Sequence, residues 1–146
     1  MRILGLDYGD ARCGVAITDA LNVTAQGLET INCNNSDKVI LKRLDEILSE
    51  YEVSTIVVGM PFNMNGTKTE RAEKTEQFIH KLKCKYNKIE IVSIDERLTT
   101  VAAHKTMNFL DVNKNKKKNI VDTISAVYIL ETYLNKMKNS LQSEKK

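Results

Sequence analysis

Three features of the sequence predict an α/β fold, with a five-stranded mixed sheet and helices on both faces. The opening residues read as short strands separated by tight turns, the pattern of an antiparallel meander. Further on, Thr55-Ile56-Val57-Val58-Gly59 is a continuous apolar run, typical of a parallel strand covered on both sides. The patterns around that run, helix then strand then helix, are those of right-handed crossovers.

Residues 2–8 and 12–19 read as strands joined by Tyr8-Gly9-Asp10-Ala11. In the second, Cys13, Val15 and Ile17 alternate with Arg12, Gly14, Ala16 and Thr18. Strands so close in sequence pair antiparallel, and a third, residues 23–32, follows the turn Asp19-Ala20-Leu21-Asn22. Ser36 and Asp37 are good helix starters, and Ile40, Leu44, Ile47, Leu48 and Tyr51 follow at helical spacing. After the apolar run, Met60 to Lys68 form a loop that holds Pro61, Asn63, Asn65 and Gly66. A helix from about Thr69 buries Ala72, Phe78 or Ile79, and Leu82. A strand at residues 89–94 precedes a short helix with Val101, Ala102 and Met107. A lysine-rich loop then leads into a last helix at about residues 120–138, with Ala126, Ile129, Leu130, Tyr133, Leu134 and Met137 on one stripe. The expected organisation is one domain, residues 1–138, and a flexible polar tail, residues 139–146.

The 146 residues suffice for a real core, and 42% hydrophobic with 28% charged is ordinary for a soluble protein. No apolar run approaches the roughly 20 residues of a membrane span, and the first residues read as a strand rather than a signal peptide. Cys13, Cys33 and Cys84 are odd in number and lack metal-binding spacing, which points to inert thiols in a reducing cytoplasm. A net charge of +3 is too small to announce a nucleic-acid partner. Its distribution says more. Lys81, Lys83, Lys85 and Lys88 suit a helix C-terminus, whereas Lys114, Lys116, Lys117 and Lys118 lie on the approach to Asp122.

Three carboxylates stand where a phosphodiester-cutting metal site wants them. Asp7 ends the run Ile3-Leu4-Gly5-Leu6, Glu96 follows the strand Ile89–Ile94, and Asp122 falls on the apolar stripe one turn before Ala126. A charge at the edge of a core is costly without a cation or a hydrogen-bonding job. Asp122 has a second reading as a helix N-cap, a role that Asn119 also suits. Carboxylates are hard ligands for Mg²⁺ or Mn²⁺, and His80 and His104 are isolated in the sequence. Two such ions about 4 Å apart, bridged by a shared carboxylate such as Asp7, activate water and steady the leaving oxygen of an in-line displacement. Arg12 is placed to clamp a phosphate or to pair with Asp10 or Asp19, and Arg97 adjoins Glu96. Asp95 reads as an outer partner of the site or simply as the end of a strand. Asn63, Asn65 and Thr67 precede a helix N-terminus, which suits an anion or an ordinary turn and cap equally well.

Four ordered motifs add to this reading. They are Gly5-Leu6-Asp7-Tyr8-Gly9 with Arg12, Gly14-Val15-Ala16 and Asp19; Gly59-Met60-Pro61 with Gly66, Thr69, Arg71-Ala72 and Phe78; Asp95-Glu96-Arg97-Leu98-Thr99-Thr100; and Val121-Asp122 with Ala126 and Ile129-Leu130. Together they resemble the YqgF (RuvX) family, Holliday-junction-resolvase-like proteins also described as candidate pre-rRNA nucleases. The resemblance covers about residues 2–134, and the one departure, Ser125 where alanine is more usual, is small. It implies an RNase H-like fold and a divalent-metal nuclease acting in ribosome biogenesis at the 5′ end of pre-16S rRNA. Asp7, Glu96 and Asp122 match the family's acidic positions, to serve as catalytic residues and ligands of Mg²⁺ or Mn²⁺. Arg12, Arg71, Arg97, Lys116, Lys117 and Lys118 are the expected nucleic-acid contacts. Resolution of branched DNA is the alternative. It needs two sites at a fixed distance, and no dimer surface stands out in the sequence, so a monomer or weak homodimer is expected. From other classes come a non-catalytic binding module and an actin-like ATPase lobe. The lobe is suggested by Asp7-Tyr8-Gly9 with Gly14, although 146 residues leave no room for a second lobe to enclose a nucleotide.

Overall fold

Central place in the sheet falls to β1 (Arg2–Asp7), whose inner residues are apolar on both faces. The computed structural model describes residues 1–9, 11–61, 69–95 and 114–144, by backbone alone at 114–122 and 139–144. β2 (Arg12–Thr18) pairs antiparallel with β1, and β3 (Ala25–Asn32) antiparallel with β2 at one edge. On the other side β4 (Val53–Met60) and β5 (Glu90–Asp95) run parallel to β1, giving the order β3-β2-β1-β4-β5. The mixed sheet is the one expected.

Alternation along the strands divides the core into two layers. Leu4, Leu6, Val15, Ile17, Ile56 and Val58 pack beneath α1 (Asp37–Glu50) and α2 (Glu70–Lys85), against Ile40, Leu44, Ile47, Phe78 and Leu82. Ile3, Ala16, Val57 and Ile94 face the other way, against Ala126, Ile129 and Leu130 of α3 (Lys114–Glu144). Each valine, leucine, isoleucine or phenylalanine among them, when fully buried, contributes about 1.5–3 kcal/mol of transfer free energy. Of the pair left open by the sequence, Phe78 is the fully buried one.

Several boundaries move. α3 begins at Lys114, not near residue 120, and continues past residue 138 to Glu144. The lysine cluster is therefore helix and not loop. Lysine is a good helix former, and no glycine or proline follows Gly66 to break the run. Met60 belongs to β4 and is buried, because the loop signal of Pro61 takes effect one residue later. The short helix expected at Val101–Met107 lies outside the described residues. His80 is exposed on α2, where its Nε2 lies 3.6 Å from Cys84 Sγ one turn further along. Cys84 is exposed, while Cys13 and Cys33 are buried. Among the described residues, no helix is long and apolar enough to cross a membrane.

At the end of the β1–β2 ladder a hydroxyl takes over from the backbone pairing. Fully buried Thr18 Oγ1 accepts from the Ile3 N–H at 2.8 Å and donates to Asn22 Oδ1 at 2.6 Å. Thr18→Val keeps the shape and strands that N–H in the core. The expected cost is about 1–3 kcal/mol, read as a lower urea midpoint at unchanged slope. A variant as stable as the wild type would show that the Ile3 N–H finds another acceptor.

Candidate active site

Asp7 closes β1 in the middle of the sheet and is half-buried. Its rung continues into β2 through Gly14, and from Gly14 into β3 through Thr30. Ile3 belongs to the layer under α3, so alternation gives Gly5 and Asp7 that same face. Gly5 explains how close α3 comes. A Cβ there would stand 2.5 Å from Leu130 Cγ and 3.0 Å from the Ala126 carbonyl oxygen. A Cβ on Gly27 would likewise collide with the Thr123 methyl. Thr123 and Thr30 exchange a hydroxyl hydrogen bond at 3.0 Å, which fixes this turn of α3 over the rung of Asp7. At the far end, Leu134 and Asn135 share a cleft with Val23, Thr24 and Ala25. α3 therefore runs antiparallel to β1, with residues 122–123 at the carboxyl end of the strand.

Asp122 lies eight residues into α3, so neither it nor Asn119 is the N-cap. From Ala126 back to Asp122 the helix advances about 6 Å, and from Gly5 on to Asp7 the strand advances about 6.6 Å. The two steps match in length and direction, and the backbone of Asp122 comes level with Asp7. The Asp122 side chain, Glu96 and Arg97 lie outside the described residues, as do Asn63, Asn65, Thr67, His104 and the side chains of Lys116, Lys117 and Lys118. The backbone of those lysines is in the first turns of α3. Asp95, the last residue of β5, stands opposite Met60. Ile94 is opposite Gly59 and belongs to the α3 layer. Among the described residues, no three acidic, histidine or cysteine side chains form a metal cluster, and Asp7 is the one member of the trio whose side chain is described.

The corner after Asp7 is held from three sides. The Tyr8 ring stacks on Phe78 with centroids 4.5 Å apart, and its hydroxyl donates to Asp37 Oδ1 at 2.7 Å. Asp37 Oδ2 in turn meets Lys81 Nζ at 2.8 Å. Arg71 Nη2 donates to the Tyr8 carbonyl at 2.8 Å. The Cys33 thiol lies 3.7 Å from the Gly9 carbonyl oxygen; burial pushes its pKa up, so it stays protonated as a donor. Arg12 opens β2 opposite Asn32. Its proposed pairing with Asp19 fails, since the length of β2, roughly 23 Å, lies between them. Asp19 Oδ1 instead accepts from Val23 N at 2.8 Å and Thr24 N at 3.0 Å. These bonds, Thr24 foremost, hold its carboxyl below the usual range despite some desolvation, and mark it as a turn residue.

Sequence reading missed the Tyr8–Asp37–Lys81 chain, taking Asp37 only as a helix starter. Arg71 did carry a signal. It is a cation in the first turn of α2, where the helix dipole disfavours positive charge.

The family model described as "RuvX: Holliday junction resolvase" matches residues 1–136. The chain belongs to the RuvX family. One relative, from Ruminiclostridium cellulolyticum, is named "Putative pre-16S rRNA nuclease"; it is 54% identical over 143 residues, 98% of this chain and 100% of the relative. Another of that name, from Clostridium tetani, is 51% identical over 139 residues, 95% of this chain and 99% of the relative. Among solved structures, Thermus thermophilus RuvC bound to a Holliday junction superposes with a TM-score of 0.57 at 11% identity, covering 94% of this chain and 96% of that one. The fowlpox virus Holliday junction resolvase gives 0.56 at 11% identity, covering 94% and 99%. At such identity the likeness is one of fold, and this RuvX chain has the RNase H-like fold of those resolvases.

Proposed function

We propose that this RuvX chain is a divalent-metal nuclease that hydrolyses phosphodiester bonds, with the 5′ end of pre-16S rRNA as substrate in the cytoplasm. The observation that carries the reading is the passage of α3 across Gly5, which brings the backbone of Asp122 level with Asp7. The names of the relatives support the substrate. A half-buried carboxylate at the edge of a core is a hard oxygen ligand of the kind that suits Mg²⁺ or Mn²⁺. Asp7, Glu96 and Asp122 would hold the metal. When bound, the metal supplies the positive charge that polarises the phosphoryl group. Asp7 is directed by the end of β1 and steadied by the clamped corner behind it. Arg12, Arg71, Arg97, Lys116, Lys117 and Lys118 neutralise phosphates of the strand. Residues 1–138 form the nuclease domain, which works as a monomer or weak homodimer.

The second reading, resolution of four-way DNA junctions, is favoured by the description of the family itself. Purified protein incubated with Mg²⁺, Mn²⁺ or EDTA, and with pre-16S leader RNA, duplex DNA or a four-way junction, separates the readings. Cleavage of the RNA alone, abolished by EDTA, is expected. Paired symmetric nicks in the junction would move the assignment to DNA. ATP turnover without any cleavage would move it to an ATPase lobe, and binding without cleavage or turnover to a recognition module.

A further inference from the structure

We propose that Arg71 is a positioning residue that couples a phosphate of the bound strand to the orientation of Asp7. The proposal rests on the nuclease reading and deepens it.

A cation near a helix N-terminus is disfavoured by the helix dipole, so an arginine in the first turn of α2 needs compensation. Acidic neighbours do not supply it. Glu70 and Glu73 share that turn, yet among the described residues Arg71 forms no ion pair. What it does form is the 2.8 Å bond from Nη2 to the Tyr8 carbonyl, 63 positions away in sequence. That carbonyl belongs to the peptide unit directly after Tyr8, one residue beyond Asp7. A displacement of that peptide reaches the end of β1 through the two backbone dihedrals of Tyr8.

Other contacts hold the rest of the corner. The Tyr8 ring and hydroxyl are held by Phe78 and Asp37, on the face of the sheet away from α3. A Cβ on Gly9 would stand 2.7 Å from the Arg12 carbonyl oxygen and 3.7 Å from Arg71 Nη2, so the corner is closed on that side too. Arg71 itself is exposed. A guanidinium carries five N–H donors, and one is engaged here. The remaining fork has the planar geometry that takes a phosphate through two parallel bonds. One rigid group thus touches the backbone next to Asp7 and offers its other edge to the substrate. A lysine ammonium supplies the charge without the fork, and cannot hold carbonyl and phosphate in the same fixed relation.

The test uses the full chain with Arg71→Gln and Arg71→Lys. Binding of a short single-stranded RNA is measured against salt without divalent metal, and cleavage with Mg²⁺ is resolved into kcat and KM. Arg71→Gln should flatten the slope of log K against log salt by about 0.7, the loss of one phosphate contact on a single strand. It should also lower kcat by roughly 10–100-fold, the effect of a small misplacement of a reacting group. Arg71→Lys should restore the slope and leave kcat low. That split marks a positioning role, since a purely structural residue moves neither the slope nor kcat in folded protein. Recovery of both by lysine would overturn the proposal, leaving Arg71 as a plain charge. So would an unchanged slope and kcat in Arg71→Gln, provided that the wild type cleaves. A wild type that binds RNA with an Arg71-dependent slope but never cuts it would instead remove the nuclease reading, and the positioning role with it.

Discussion

Asp7→Asn is expected to reduce metal-dependent cleavage by at least about a thousand-fold while leaving the fold intact. A carboxylate that holds a catalytic cation is linked to several kcal/mol of transition-state stabilisation, and each 1.36 kcal/mol is a tenfold change in rate. The amide keeps the size of the side chain and one acceptor oxygen but gives up the charge. Asp7 ends its strand and lies at the edge of the core, so the apolar layers on both faces of β1 are untouched. Thermal melts without metal should superimpose for variant and wild type. Added Mg²⁺ should raise the wild-type melting temperature and leave that of Asp7→Asn unmoved, because a ligand that binds only the native state stabilises it by mass action. Undiminished cleavage by Asp7→Asn would leave the acidic constellation without a catalytic role.

Asp122→Ala belongs to the same expectation and tests a different link. The residue is eight positions inside α3, where alanine is the better helix former, so the variant should melt at or slightly above the wild type. Cleavage should be lost none the less. Normal cleavage with early melting would return Asp122 to a structural role, although capping is already excluded by where the helix begins.

The physics that was local could be read in advance. β1, β2 and β4 announce themselves because burial on one or both faces imposes a period of two or an unbroken apolar run. Asp7 was legible for the same reason, as the polar residue that stops such a run. The start of α3 was not, because residues 114–118 include no apolar residue to mark a stripe and only their helix propensity speaks for them. Long-range contacts left little trace. Nothing in the sequence near Arg71 names the Tyr8 carbonyl as its acceptor, and nothing near Thr30 names Thr123. Gly5 is a middle case. A glycine within an apolar strand marks a close backbone approach, but what approaches it is decided more than a hundred residues later in the chain.

That approach yields the second large effect, for Gly5→Ala. The added methyl would meet Leu130 Cγ at 2.5 Å and the Ala126 carbonyl oxygen at 3.0 Å. Leu130 is fully buried and the carbonyl is backbone, so neither can swing aside and α3 must lift or slide. Overpacking of this kind costs about 1–3 kcal/mol, measurable as a lower urea midpoint at unchanged slope. The functional loss should be larger than stability alone allows. α3 carries Asp122, and a shift of about 1 Å between reacting groups is enough for roughly a hundred-fold in rate. Cleavage measured at a temperature where the variant is fully folded should therefore fall by about that factor. Leu130→Ala placed in the same chain opens room for the new methyl. The double variant should cleave better than Gly5→Ala alone while being less stable than wild type, a coupling expected of groups in direct contact. If Gly5→Ala is destabilised yet cuts at the wild-type rate, the spacing between β1 and α3 does not set the chemistry, and the pairing of Asp7 with Asp122 loses its physical basis.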